Sequence, residues 1–170
     1  MDTLEIIKKY QNYIKLNDFT SFYRIANLID DLGDQVGEIT EKFYGAGILD
    51  DVLASMKYIP ENMFHGIYVK DLIIPSNIEE IKPFAFAYSK LGEINLPETI
   101  KSIDSDAFMG CSQLTEIKIP ESVDTFDMRN VFWACDNLET LWLPIKWRGK
   151  VRKNVIFGKW NPVSTTIKYY

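Results

Sequence analysis

Apolar residues in this chain recur in a fixed phrase that ends on proline. Four segments carry it: Val69-Lys70-Asp71-Leu72-Ile73-Ile74-Pro75, Leu91-Gly92-Glu93-Ile94-Asn95-Leu96-Pro97, Leu114-Thr115-Glu116-Ile117-Lys118-Ile119-Pro120 and Leu138-Glu139-Thr140-Leu141-Trp142-Leu143-Pro144. Their prolines stand 22, 23 and 24 residues apart. Between them the other apolar positions keep register: Ile78, Ile100 and Val123, then Ile81, Ile103 and Phe126, then Phe86, Phe108 and Phe132. Ala85, Ala107 and Val131 share one place, and Ser89, Cys111 and Cys135 another. The alternation before each proline predicts a short strand, the proline ends its hydrogen bonding, and a turn leads to a second short extended or helical piece ending at the Phe. One such copy cannot bury its own flat faces, so the copies must stack into a solenoid of about four rungs. A half-copy, Ile59-Pro60-Glu61-Asn62-Met63-Phe64, precedes them, with Phe64 lying 22 residues before Phe86.

The stretch from Pro97 through Ile100, Ile103, Ala107-Phe108, Cys111 and Leu114 to Ile119-Pro120 resembles the BspA-type (Treponema pallidum type) leucine-rich repeat. The resemblance covers about residues 59–144. Two copies depart from it: the one at 75–97 lacks the Cys and is one residue short, and the one at 120–144 has Phe126-Asp127-Met128-Arg129-Asn130 in place of the tidy Ile-x-x-x-Ala. It implies an α+β fold, a short leucine-rich-repeat solenoid with an N-terminal helical cap, and a non-catalytic protein-binding function.

The flanks read differently. Residues 1–57 predict helices: a capping-box-like start at Asp2-Thr3-Leu4-Glu5 with the stripe Leu4, Ile7, Tyr10 and Ile14; a second helix from Asp18 or Thr20 to Gly33; a third from about Asp34 to Gly45-Ala46-Gly47; and a short fourth from about Asp50 to Met56. A solenoid end needs a cap, and this block reads as one for residues 58–144, the alternative being a separate functional helical domain. It resembles, more loosely, the helical leader of small leucine-rich repeat proteins encoded by bacteriophages and their hosts. That likeness implies a phage-type accessory protein that binds or inhibits a host or defence protein in the host cytoplasm. Residues 145–170 form a C-terminal cap with a closing strand at Thr165-Thr166-Ile167-Lys168-Tyr169-Tyr170.

Composition narrows the class. The 170 residues are 46% hydrophobic and 25% charged, which supplies a packed core and argues against disorder. No run of eighteen apolar residues exists, so no membrane span is expected. The acids at Asp2 and Glu5 stand where a signal peptide needs bases, so the chain reads as cytoplasmic and Cys111 and Cys135 as buried, reduced thiols. No metal or cofactor is expected, because one histidine and two cysteines make a poor ligand set and no phosphate-binding or nucleophile motif occurs. His65 reads as surface or cap packing, and the carboxylate pairs Asp30-Asp31, Asp50-Asp51, Glu79-Glu80 and Asp104 with Asp106 read as solvated turns. An enzyme is not expected.

The net charge of −5 hides a sorted distribution. Residues 1–66 hold six bases and eleven acids, residues 67–144 six and thirteen, and residues 145–170 seven and none. Two features follow. Strand side chains alternate, so the variable columns form ladders on one exposed face: Asp71, Glu93, Glu116 and Thr140 in one, Ile73, Asn95, Lys118 and Trp142 in its neighbour. Stacked like charges repel, so the acidic column suits a basic partner, with Trp142 as an anchor; the alternative is that Lys118 and nearby lysines simply neutralise it. The second feature is the basic patch Lys146, Trp147, Arg148, Lys150, Arg152 and Lys153, whose alternate cations would share one face if the stretch is extended. It could dock on an acidic patch of its own chain or another subunit, bind a partner protein, or bind nucleic acid through phosphate contacts and stacking on Trp147 and Trp160. The oligomeric state stays open.

Overall fold

The computed structural model describes residues 40–41, 44–45, 47, 49–67, 72–158 and 165–170. Within them a helix α1 (Leu49–Ala54) is followed by seven short strands: β1 (Tyr58–Ile59), β2 (Glu80–Ile81), β3 (Ser102–Ile103), β4 (Glu116–Lys118), β5 (Thr125–Phe126), β6 (Thr140–Leu143) and β7 (Thr166–Tyr169). A 3₁₀ turn (Ile145–Trp147) and a one-turn helix α2 (Lys153–Ile156) lie between β6 and β7. The short fourth helix expected from the sequence is α1; the first two expected helices lie outside the described residues, and of the third only residues 40–41, 44–45 and 47 are described, the first four of them helical.

The strands form two parallel sheets, β1-β2-β3-β5 and β4-β6-β7, one on each side of a shared interior. Ile59, Ile81, Ile103 and Phe126 stand abreast in the first, as their periodic positions require. In the second, Glu116, Ile117 and Lys118 stand opposite Thr140, Leu141 and Trp142. Pro120 and Pro144 are therefore aligned, each two residues beyond a paired position.

Each rung turns its corners by local chemistry. The carbonyls of Pro75, Pro97 and Pro120 accept from the amides of Ile78, Ile100 and Val123, closing a four-residue turn after each proline. The residue before each of these anchors reaches back one rung: Asn77 Nδ2 donates to the Leu53 and Met56 carbonyls, Thr99 Oγ1 to Ile78, and Ser122 Oγ to Ile100. The piece leading to each Phe is a run of tight turns, neither helix nor strand beyond its first two residues. Those turns require left-handed backbone at two places per rung. Asn62, Phe84, Asp106 and Asn130 hold the first, and Gly66, Tyr88, Gly110, Ala134 and Gly158 the second.

The interior is a column of phenyl rings. Phe64, Phe86, Phe108 and Phe132 stack with centroids 4.9, 5.1 and 5.7 Å apart, and Phe157 continues the column 6.4 Å beyond Phe132. Beside it the amides of Phe64, Phe86 and Phe108 donate to the carbonyls of Ala85, Ala107 and Val131 in the next rung, and Phe132 donates to Ile156. The stack thus runs through the boundary expected at residue 145, adding a rung to the four read from the sequence. Cys111 and Cys135 are buried and unbridged, and their thiols donate to the carbonyls of Phe86 and Phe108. Ser89 fills the same place one rung earlier, its hydroxyl 3.4 Å from the Cys111 sulfur. Interaction with the Cys111 thiol, and then burial, pushes the Cys135 thiol well above the usual cysteine range.

Candidate interaction face

The variable columns of the β4-β6-β7 sheet and of the segment before it form one exposed face. β7 extends both ladders by a rung: Glu116 stands beside Thr140 and Thr140 beside Thr166, while Lys118 stands beside Trp142 and Trp142 beside Lys168. Glu93, Asn95, Glu116 and Lys118 are exposed and Trp142 is half-buried. Ile73 is 75% exposed, whereas Asp71 lies outside the described residues.

The second column is already occupied by its own chain. Lys168 Nζ sits 4.6 Å from the Trp142 ring centroid, and Lys118 Nζ sits 4.1 Å from that of Tyr170. Tyr170 is held in place by its hydroxyl, which donates to the Ile119 carbonyl at 2.7 Å. Burial, with the charges of Glu98 and Glu121, pushes its phenol above the usual tyrosine range. Trp142 is therefore roofed by a cation and is not a free anchor. Lys168 and Tyr170 were legible only through alternation: residues 166 and 168 repeat the two-residue step of 140 and 142.

The acidic column is different. Lys118 rests on Tyr170, and among the described residues neither Glu93 nor Glu116 forms an ion pair or a side-chain hydrogen bond. Lys118 thus meets the Tyr170 ring rather than a carboxylate of the column. Between residues 93–98 and β4 a cleft of about 510 Å³ opens, lined by Glu93, Asn95, Glu98, Glu116 and Lys118 together with Ile94, Leu96 and Ile117. Sequence reasoning missed Glu98, which follows Pro97 at the rim.

The basic patch does not form the single cationic face that an extended chain would give. Pro144 ends β6, the amides of Trp147 and Arg148 turn back to the carbonyls of Pro144 and Ile145, and Lys150 N–H donates to Trp147. Trp147 packs edge-on against Phe126 at 5.8 Å, and Val151 also packs on the core, so these apolar anchors curl the segment and scatter its cations. Lys146 bonds the Glu121 carbonyl and the Asp124 carboxylate. Lys150 lies 5.5 Å from the Trp147 ring centroid, and Lys153 donates to the Thr165 carbonyl at 2.9 Å. Arg148 and Arg152 are exposed and unpaired among the described residues. Of the three readings of the patch, docking on acids of its own chain describes Lys146.

Other candidates fall away from chemistry. His65 is exposed and meets the Tyr88 ring edge-on at 5.5 Å. Glu79 pairs with Lys101, whose hydrogen bond and charge hold its carboxyl below the usual range. Among the described residues no cluster of three or more His, Cys, Asp or Glu could hold a metal ion, and no helix is long and apolar enough to cross a membrane.

Comparison with known proteins agrees with the geometry. Among curated proteins none matches the chain. Among solved structures, a leucine-rich repeat protein from Bacteroides ovatus ATCC 8483 is similar, with 25% sequence identity and a TM-score of 0.55 over 68% of this chain. The present chain spans 28% of that protein's length. The model of the BspA type leucine-rich repeat region matches residues 40–156 in six copies. A chain with that repeat through most of its length, stacked around one phenyl column, belongs to the BspA-type leucine-rich repeat family.

Proposed function

We propose that the chain is a non-catalytic protein-binding module that receives a basic partner on the face of Glu93 and Glu116. Leucine-rich repeats of this kind generally serve as protein-interaction modules. The observation that carries the reading is that these two carboxylates are exposed and, among the described residues, unpaired, while Lys118, the cation beside Glu116, rests on the Tyr170 ring. Opposite charge across an interface steers encounter and selects partners. The buried, unbridged thiols fit work in the cytoplasm. The phage-type role, with a host or defence protein as target, rests on the resemblance of the helical leader alone.

The alternative, anion or nucleic-acid binding through Lys146 to Lys153, has weaker support. Among the described residues of that segment only Arg148 and Arg152 present free guanidinium groups, and Trp147 is packed on Phe126 where it cannot stack on a base. A phosphate footprint that small would be repelled by the acidic remainder.

Affinity capture with the wild-type chain and a Glu93→Lys/Glu116→Lys double variant tests the reading. Proteins retained by the wild type should bind the variant at least about tenfold more weakly, a loss of about 1.4 kcal/mol. Equal retention by both, or salt-sensitive retention of short DNA or RNA by both, would discard the face as the binding site.

A further inference from the structure

The cleft between residues 93–98 and β4 has a feature that charge alone does not use. In a parallel strand the N–H and C=O of one residue point to the same side, and successive residues alternate sides. The Thr115 carbonyl accepts from Thr140, and Ile119 N–H donates to Trp142, so the Thr115 carbonyl and the main-chain groups of residues 117 and 119 are directed toward β6. The main-chain groups of Glu116 and Lys118 therefore point the other way, into the cleft. Among the described residues no backbone hydrogen bond joins 93–97 to 116–118; the rungs are linked before the cleft by Thr115 N–H to the Gly92 carbonyl at 3.4 Å and after it by Glu121 N–H to the Glu98 carboxylate at 3.1 Å. β4 thus presents an open edge inside a stack that is otherwise paired from β4 to β7.

We propose that this edge takes an extended basic segment of a partner protein, added to β4 as a strand. The proposal rests on the protein-binding reading above and specifies its mode and its ligand chemistry. Unpaired edge groups are a template for another strand, and strand addition draws affinity from main-chain bonds and selectivity from alternate side chains. Here the selecting groups are known. On the outer face a cation abreast of Glu116 also meets Glu93, whereas the position two residues on comes abreast of Lys118 and must not be a cation. On the inner face Ile94 and Ile117 call for an apolar residue. The segment recognised alternates apolar residues with outward residues that are basic once and then neutral.

A synthetic peptide alternating valine with lysine and threonine, labelled at one end, is the probe. Its binding is followed by fluorescence anisotropy at low and moderate salt, beside two analogues N-methylated on one or the other alternate set of backbone nitrogens. The parent should bind, glutamate in place of lysine should abolish binding, and Glu116→Lys should weaken it at least tenfold. Methylation of the set that faces β4 should cost at least tenfold, with the other set tolerated. Equal binding of both methylated analogues would overturn strand addition while leaving an acid-dependent protein-binding face intact. So would failure of the peptide to bind when captured proteins still distinguish the wild type from the double variant. Loss of both peptide and captured proteins would remove the functional reading itself. A doubling of mass without peptide would assign the edge to a second copy and overturn the proposal.

Discussion

Gly110 holds φ at +70°, and a β-carbon there would lie 2.4 Å from Cδ1 of Tyr88. Left-handed backbone costs a residue with a side chain about 1–2 kcal/mol, and the ring must also move aside. Gly110→Ala should therefore destabilise the chain by at least about 1 kcal/mol in urea denaturation. Gly92→Ala, whose β-carbon would meet only the Gln113 carbonyl at 4.0 Å, should be neutral or stabilising by up to about 1 kcal/mol. Asp104 offers a pH-resolved test. Burial raises its carboxyl above the usual range, opposed by Lys82 and reinforced by Glu80 and Asp127. The folded state thus holds the proton more tightly than the unfolded chain, so ionisation of Asp104 destabilises the fold, and that penalty is fully present above the folded pKa. Asp104→Asn should raise the melting temperature at neutral pH, and the gain should vanish once pH falls below the ordinary aspartate range. A gain that persists at low pH would assign the effect to something other than this charge. The Ser89, Cys111 and Cys135 column was visible as a recurrence, but the role of its two cysteines as donors to the preceding rung's Phe carbonyl was not, because those bonds exist only after the rungs stack.

Most strands here are two or three residues long, too short to persist alone, so each rung is held by its neighbours. The phenyl column is the shared element. Phe108, stacked between Phe86 and Phe132, is fully buried, and Phe108→Ala should cost about 3–5 kcal/mol, a large share of the about 5–15 kcal/mol that holds a domain. Chemical denaturation followed by circular dichroism should show the whole transition shifting as one, because removing a middle rung severs both halves. Periodicity alone made four members of the column legible. Phe157 escaped notice because its rung has lost the Ile-Pro phrase and the Ala before the ring; the remaining signal is Val155-Ile156-Phe157 placing an aromatic 25 residues after Phe132. The basic stretch misled for a related reason. Alternating cations read as a strand, but Trp147 and Val151 bury against the core and curl the backbone between them. The Asn77, Thr99 and Ser122 ladder lies in the turn after each proline and was not legible in the sequence, since its hydrogen bonds cross between rungs.

Across the whole molecule the sorted charges are partly satisfied internally and partly left open. Lys146 ties the basic segment to Asp124, Lys101 ties to Glu79, and Lys118 and Lys168 cover aromatic rings, while Glu93 and Glu116 remain available beside an unpaired strand edge. The solenoid is therefore continuous through its phenyl column and interrupted on one face, and the proposed site rests on that combination. Residue-resolved amide exchange measures both halves of this statement at once. The amides of Phe86, Phe108, Phe132 and Ile119, each bonded to the next rung, should exchange slowly, and those of Glu116 and Lys118 should exchange orders of magnitude faster than Ile119 beside them. Equal protection of Glu116, Lys118 and Ile119 would mean a closed sheet with no edge to offer, and fast exchange at the three phenylalanines would mean that the rungs do not stack.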